Sequence, residues 1–212
     1  MEHHTKMIAY ECKTFTEILG YSQTYQWYAG QPFEYPITDR TFKTEKMFLS
    51  AYKGFSNCQA RFGIGGSITK WKNENYIGYE GHFVHNITKD RKEVTRLIFN
   101  IAGGKRPVDE WKSDIEDVLE VLLKKYPNLQ ELYLQAVIGG FDDNSNIRAV
   151  INHPRIVEAI NAVVNNSSHG LLRCGAVVKL KSEGFSDTRG HLTSNAAQKS
   201  KELMLKFYDI ST

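Results

Sequence analysis

Cysteine is scarce in this chain and never paired in sequence: Cys12, Cys58 and Cys174 are the only three. An odd count, wide spacing and the absence of any C-x-x-C pair argue against a disulfide framework or a zinc knuckle, and fit a reducing compartment. Long apolar runs are missing too. None approaches the roughly 20 residues needed to span a bilayer, so no membrane partner is expected. The opening "MEHHTKMIAYECKTF" has neither the apolar core nor the small-residue cleavage site of a signal peptide, and the expected location is cytoplasmic. No Lys/Arg block stands out, and the net charge is only +3, so nucleic acid is not indicated as a partner. Internal repeats and low-complexity tracts are absent, which excludes a solenoid.

What remains is an ordinary soluble composition, 41% hydrophobic and 24% charged over 212 residues. That length suffices to bury a sizeable core without covalent staples. The chain divides into two unlike portions: an aromatic-rich N-terminal extension or lobe over residues 1–58, and an α/β domain over 59–212. In the first, Pro32 and Pro36 interrupt any helix, while Tyr25, Trp27, Tyr28, Phe33 and Tyr35 suggest short extended pieces packed by their rings. "TFKTEKMFLSAYKG" then reads as a short helix stopped by Gly54.

From residue 60 the punctuation becomes regular. "ARFGIGGSI" reads as a strand entering a glycine turn, and "VTRLIFNIAGG" as a buried strand ending in glycines. Pro107 suits a first helical turn. Val108, Trp111, Ile115, Val118, Leu119, Leu122, Leu123 and Tyr126 keep a 3.6-residue period behind it. The strand "LQELYLQAVIGG", a helix over "NHPRIVEAINAVV" and the strand "GLLRCGAVVKL" follow. A last helix is expected to bury Ala196, Ala197, Ser200, Leu203, Met204 and Phe207. Strands alternating with helices over residues 94–208 predict an α/β fold, with a mixed or mainly parallel sheet flanked by helices.

In such a sheet, ligands gather at the carboxyl ends of the strands. Four stretches are expected there: "GIGGSIT", "NIAGGKR", "VIGGFDDN" and "FSDTRGHLT". A serine after a glycine turn, glycine amides, an asparagine and an Asp/His pair are the parts of an acyl-transfer site. In this order the stretches resemble the SGNH-type esterases and lipases over residues 60–208. The resemblance implies Ser67 as nucleophile, with Asp187 and His191 as orienter and base. Gly103 or Gly104, together with Asn144, become oxyanion donors. It implies no cofactor and no metal, and a small-molecule ester as substrate. The chain has Gly66 where that family has an aspartate before the serine, and three residues rather than two between Asp187 and His191.

Plainer readings stand beside each of these. Ser67 also suits a turn serine bonded to local backbone, and the paired glycines suit strand ends. Asp142, Asp143 and Asn144 could hold a hard cation or line a solvated loop. His82 and His85 share a face only on a helix. Asp187 and Thr193 or Ser194 suit a helix entry with no catalysis. The alternative function is a non-catalytic interaction or self-assembly protein, a homo-oligomer whose aromatic N-terminal segment packs on a partner.

Overall fold

The computed structural model describes residues 15–21, 28, 58–63, 91–101, 106–139, 155–180 and 192–208. Five strands form one sheet: β1 (Thr16–Tyr21), β2 (Cys58–Gly63), β3 (Arg96–Asn100), β4 (Glu131–Gly139) and β5 (Leu172–Leu180). Their order is β2-β1-β3-β4-β5, and every neighbouring pair is parallel. Parallel pairing needs a crossover between strands, and helices supply the described ones. These are α1 (Val108–Lys125) between β3 and β4, α2 (Arg155–Asn166) between β4 and β5, and α3 (Ser194–Phe207) after β5. The chain is an α/β protein with a parallel sheet. Among the described residues no helix is long and apolar enough to cross a membrane.

Side-chain alternation along the strands sorts the core into two layers. Leu19, Leu97, Phe99, Leu132, Leu134 and Ala136 share one face. They meet Trp111, Ile115, Val118, Leu119 and Leu122 of α1 and Ile156, Ala159, Ile160 and Val163 of α2. On the opposite face, Arg96 donates from Nε to Thr16 Oγ1 (2.8 Å) and from Nη1 to the carbonyl of Tyr208, just past α3 (2.9 Å). Tyr133 packs edge-on against Phe207 and Tyr208 on that same side. Helices therefore cover both faces, which is why β3 and β4 read as near-continuous apolar runs.

Helix α1 carries Asp109 and Glu110 in its first turn and Lys124 and Lys125 in its last, each matched to the helix dipole. Pro107 is its N-cap, one position earlier than the periodicity suggests, and its missing N–H costs nothing there. In α3 the burial differs from expectation. Ala196, Ala197, Ser200 and Met204 are buried, but Leu203 and Phe207 are each 49% exposed. The inward stripe runs through positions four apart from Ala196 to Tyr208, which leaves Leu203 and Phe207 on the flank.

Strand β1 falls within the stretch 1–58, and the structure places it second in the sheet, between β2 and β3. Tyr28, from the same stretch, is buried at 1% exposure. The rest of the expected lobe, including the helix expected before Gly54, lies outside the described residues.

Candidate functional site

Because all strands are parallel, their carboxyl ends share one edge of the sheet, and the chain leaves each strand there. Of the four stretches anticipated from sequence, the described residues are Gly63 at the end of β2, Asn100, Ile101 and Arg106 at and after the end of β3, Val137–Gly139 at the end of β4, and Leu192 and Thr193 before α3. Ser67, Gly103, Gly104, Asn144, Asp187 and His191 themselves lie outside the described residues, as do His82, His85, Asp142 and Asp143.

The strand order reverses between β1 and β3, the point at which doubly wound sheets open a crevice for a ligand. The pairing registers show where the β1/β3 ladder ends. β1 pairs with β3 only over Thr16–Leu19, against Arg96–Phe99. Past that point Gly20 and Tyr21 pair outward with Phe62 and Gly63 of β2, while Asn100 pairs the other way with Gln135 of β4. Asn100 closes the end of the ladder with its side chain. Its Nδ2 donates to the carbonyls of Leu19 (3.2 Å) and Ile98 (3.3 Å), and its Oδ1 accepts from Tyr28 Oη (3.0 Å).

A second buried polar group lies one strand over. Tyr208 Oη donates to Gln135 Oε1 and accepts from the amide of Ala176 (3.3 Å). Gln135 Nε2 donates to the carbonyls of Ala176 (2.6 Å) and Ala136 (3.1 Å). Burial pushes the Tyr208 hydroxyl far above the ordinary phenol range, so it stays protonated.

The exit from β3 towards α1 carries a cation that is already committed. Arg106 donates from Nη1 to Asp114 Oδ2 and from Nε to Glu110 Oε2 (3.3 Å), and its guanidinium lies 5.0 Å from the Trp111 ring centre. Burial works against its charge, but the hydrogen bond and attraction of Asp114, then those of Glu110, raise its pKa above the usual value. Arg106 is thus an internal brace of α1. The glycine-rich "NIAGGKR" keeps no free arginine for an anion.

At the far side of the edge, Thr193 caps α3: its side-chain oxygen accepts from the amide of Ala196 (3.3 Å). Leu192 is fully buried, which anchors the entry to α3 against the sheet. His191 is its chain neighbour. Cys174 on β5 donates to Asn161 Oδ1 (3.1 Å), and burial pushes its thiol pKa up, away from a reactive thiolate. Among the described residues no group of three His, Cys, Asp or Glu could hold a metal ion.

One exit was not among the four anticipated stretches. "TEILGYSQTY" contains β1, which ends at Tyr21; Ser22, next in sequence, lies outside the described residues. Its signal is a short apolar run followed by a glycine and a serine, the same punctuation as the other strand ends. The surrounding aromatics masked it. Comparison of the chain with protein-family models, with curated proteins and with solved structures gives no match in any of the three.

Proposed function

We propose that the chain hydrolyses an ester-like bond of a small molecule at the carboxyl edge of its sheet, in the crevice between β1 and β3. The observation that carries this reading is the reversal of strand order between β1 and β3, whose ladder ends at Leu19 and Phe99. The resemblance of the closing "DTRGHLT" motif to SGNH-type esterases and lipases supplies the chemistry. A serine Oγ attacks the carbonyl carbon, and His191 accepts its proton and passes it to the leaving alcohol. Water, activated by His191 in turn, releases the acid from the acyl-enzyme. Asp187 holds the imidazole in the required tautomer, and amides at Gly103 or Gly104 with Asn144 stabilise the oxyanion, each donor contributing roughly 3 kcal/mol.

Two serines compete for the nucleophile. Ser67 follows β2, an edge strand, whereas Ser22 follows β1 directly at the switch point. Strand order favours Ser22, because ligands lie where the order reverses. Labelling the full chain with a fluorophosphonate decides the matter. Loss of labelling in Ser22→Ala but not in Ser67→Ala supports this assignment, and the reverse pattern restores Ser67. Wild-type protein that takes up no label, and hydrolyses no short acyl ester, overturns the hydrolase reading.

The alternative, assembly through exposed aromatics of residues 20–37, meets one adverse observation. Tyr28 is buried in this chain's own sheet and bonded to Asn100.

A further inference from the structure

Strand β5 carries one residue too many for its neighbour. Leu134 pairs with Cys174, but Ala136 pairs with Val177, so Gln135 on β4 stands opposite both Gly175 and Ala176 on β5. This is a β-bulge, rare between parallel strands. Side chains meet its backbone. The buried Ala176 donates its amide to Tyr208 Oη (3.3 Å), and its carbonyl accepts from Gln135 Nε2 (2.6 Å). Tyr208 Oη in turn donates to Gln135 Oε1, so the two side chains also hold each other.

Hydrophobic burial at the next two positions does not choose this register. Past the bulge, Val177 shares the α1 and α2 side of the sheet with Ala136 and is 54% exposed. Val178, on the α3 side, is 1% exposed. An unbroken ladder would pair Ala136 with Ala176. Side chains alternate along a strand, so a shift by one residue turns each of them to the other face. Val177 would then take the buried position and Val178 the exposed one. One valine replaces another, and the apolar area buried there is nearly the same. What separates the two registers is the backbone of Ala176, and one of its two side-chain partners is the residue that closes α3.

We propose that β5 has two registers, one residue apart, and that the seating of α3 selects the bulged one through Tyr208, with Gln135 as the second hold. The device couples the C-terminal helix to the faces on which the later side chains of β5 lie. It does not rest on the hydrolase reading.

Cysteine placed in the full-length chain by Val177→Cys or Val178→Cys reports the register through alkylation by iodoacetamide. Tandem mass spectrometry reads each site and keeps the native Cys12, Cys58 and Cys174 separate. With Tyr208 and Gln135 in place, position 177 should react fast and position 178 slowly. Tyr208→Phe should speed alkylation at position 178 by about tenfold, the effect of one buried amide losing its acceptor. Tyr208→Phe combined with Gln135→Met removes both holds and should reverse the order, position 178 becoming the faster. Unfolding opens both positions alike and cannot reverse them. Val118→Cys, at a buried position of α1, reports unfolding in the same backgrounds.

Position 177 still the faster in the double variant, with position 178 accelerated no more than position 118, would overturn the proposal. Should the double variant not fold, Tyr208→Phe decides alone. A slip of register exposes little surface, so acceleration at position 178 beyond that at 118, and insensitive to low urea, upholds the two registers. Equal acceleration at both positions removes them.

Discussion

Tyr208, the residue that closes α3, reaches across the sheet so that its Oη donates to Gln135 Oε1 on β4, directly above the bare Cα of Gly175 on β5. A methyl group on that Cα would stand 2.6 Å from Gln135 Oε1, 2.7 Å from Tyr208 Oη and 2.8 Å from the Leu134 carbonyl. The last atom is backbone and cannot swing aside. Helix α3 is seated by this contact, and two predictions concern it.

Gly175→Ala should destabilise the fold by roughly 1–3 kcal/mol, the usual cost of overpacking a well-filled site. The gain of up to about 1 kcal/mol from a stiffer unfolded chain does not offset it. Urea denaturation of Gly175→Ala, Tyr208→Phe and the double variant checks the cause. Removing the hydroxyl clears one of the three clashes, so the double variant should lose less than the sum of the singles. Strict additivity would place the strain elsewhere.

Stability should fall in alkali through Tyr208. Burial raises its folded-state pKa far above the unfolded value of 10.0, so the proton favours the folded form. Below about pH 10 both states keep the proton and nothing changes; above it only the unfolded state releases it. The loss should approach about 1.4 kcal/mol per pH unit. Cys174, also raised by burial, acts in the same direction from its ordinary value of 9.0. Chemical denaturation from about pH 8 to about pH 11 should show this limb, shallower in Tyr208→Phe.

Arg106→Gln should cost about 2 kcal/mol, because it removes the cation that pairs with the nearly buried Asp114 carboxylate and lies over Trp111. Asp114→Asn placed in the same chain should recover part of that loss, since the negative charge that Arg106 balanced is then gone. Thermal melts of the two singles and the double form the cycle. Recovery close to zero would mean the packing of Arg106 on Trp111, and not its charge, supports the start of α1.

Thr193→Ala should lower stability by about 1 kcal/mol through loss of the cap on Ala196, while Thr193→Ser should stay near wild type. Because His191 lies just before this turn, Thr193→Ala should also slow fluorophosphonate labelling more than Thr193→Ser does. Equal labelling rates would detach the α3 entry from the chemistry.

Much of the architecture is determined by local sequence. The 3.6-residue stripe from Trp111 to Leu122 makes α1 because only that period puts those side chains on one face. The apolar runs of β3 and β4 signal strands covered on both sides. Glycines at or soon after the ends of β2, β3 and β4 signalled where those strands stop, and Thr193 was among the caps expected for α3.

Tertiary structure decided the rest. β1 is short, carries the buried Glu17, and sits among aromatics, so no periodicity separates it from its surroundings. Its place beside β3 comes from pairing with residues about eighty positions away in the chain, which no local pattern encodes. Leu203 and Phe207 look as apolar as Met204 and Tyr208, and only the angle at which α3 meets the sheet leaves the first pair half-exposed. The switch point, and with it the bond from Asn100 to the Leu19 carbonyl, exists only once five strands have taken their order. A point where strand order reverses is a property of that order, and no segment carries it alone.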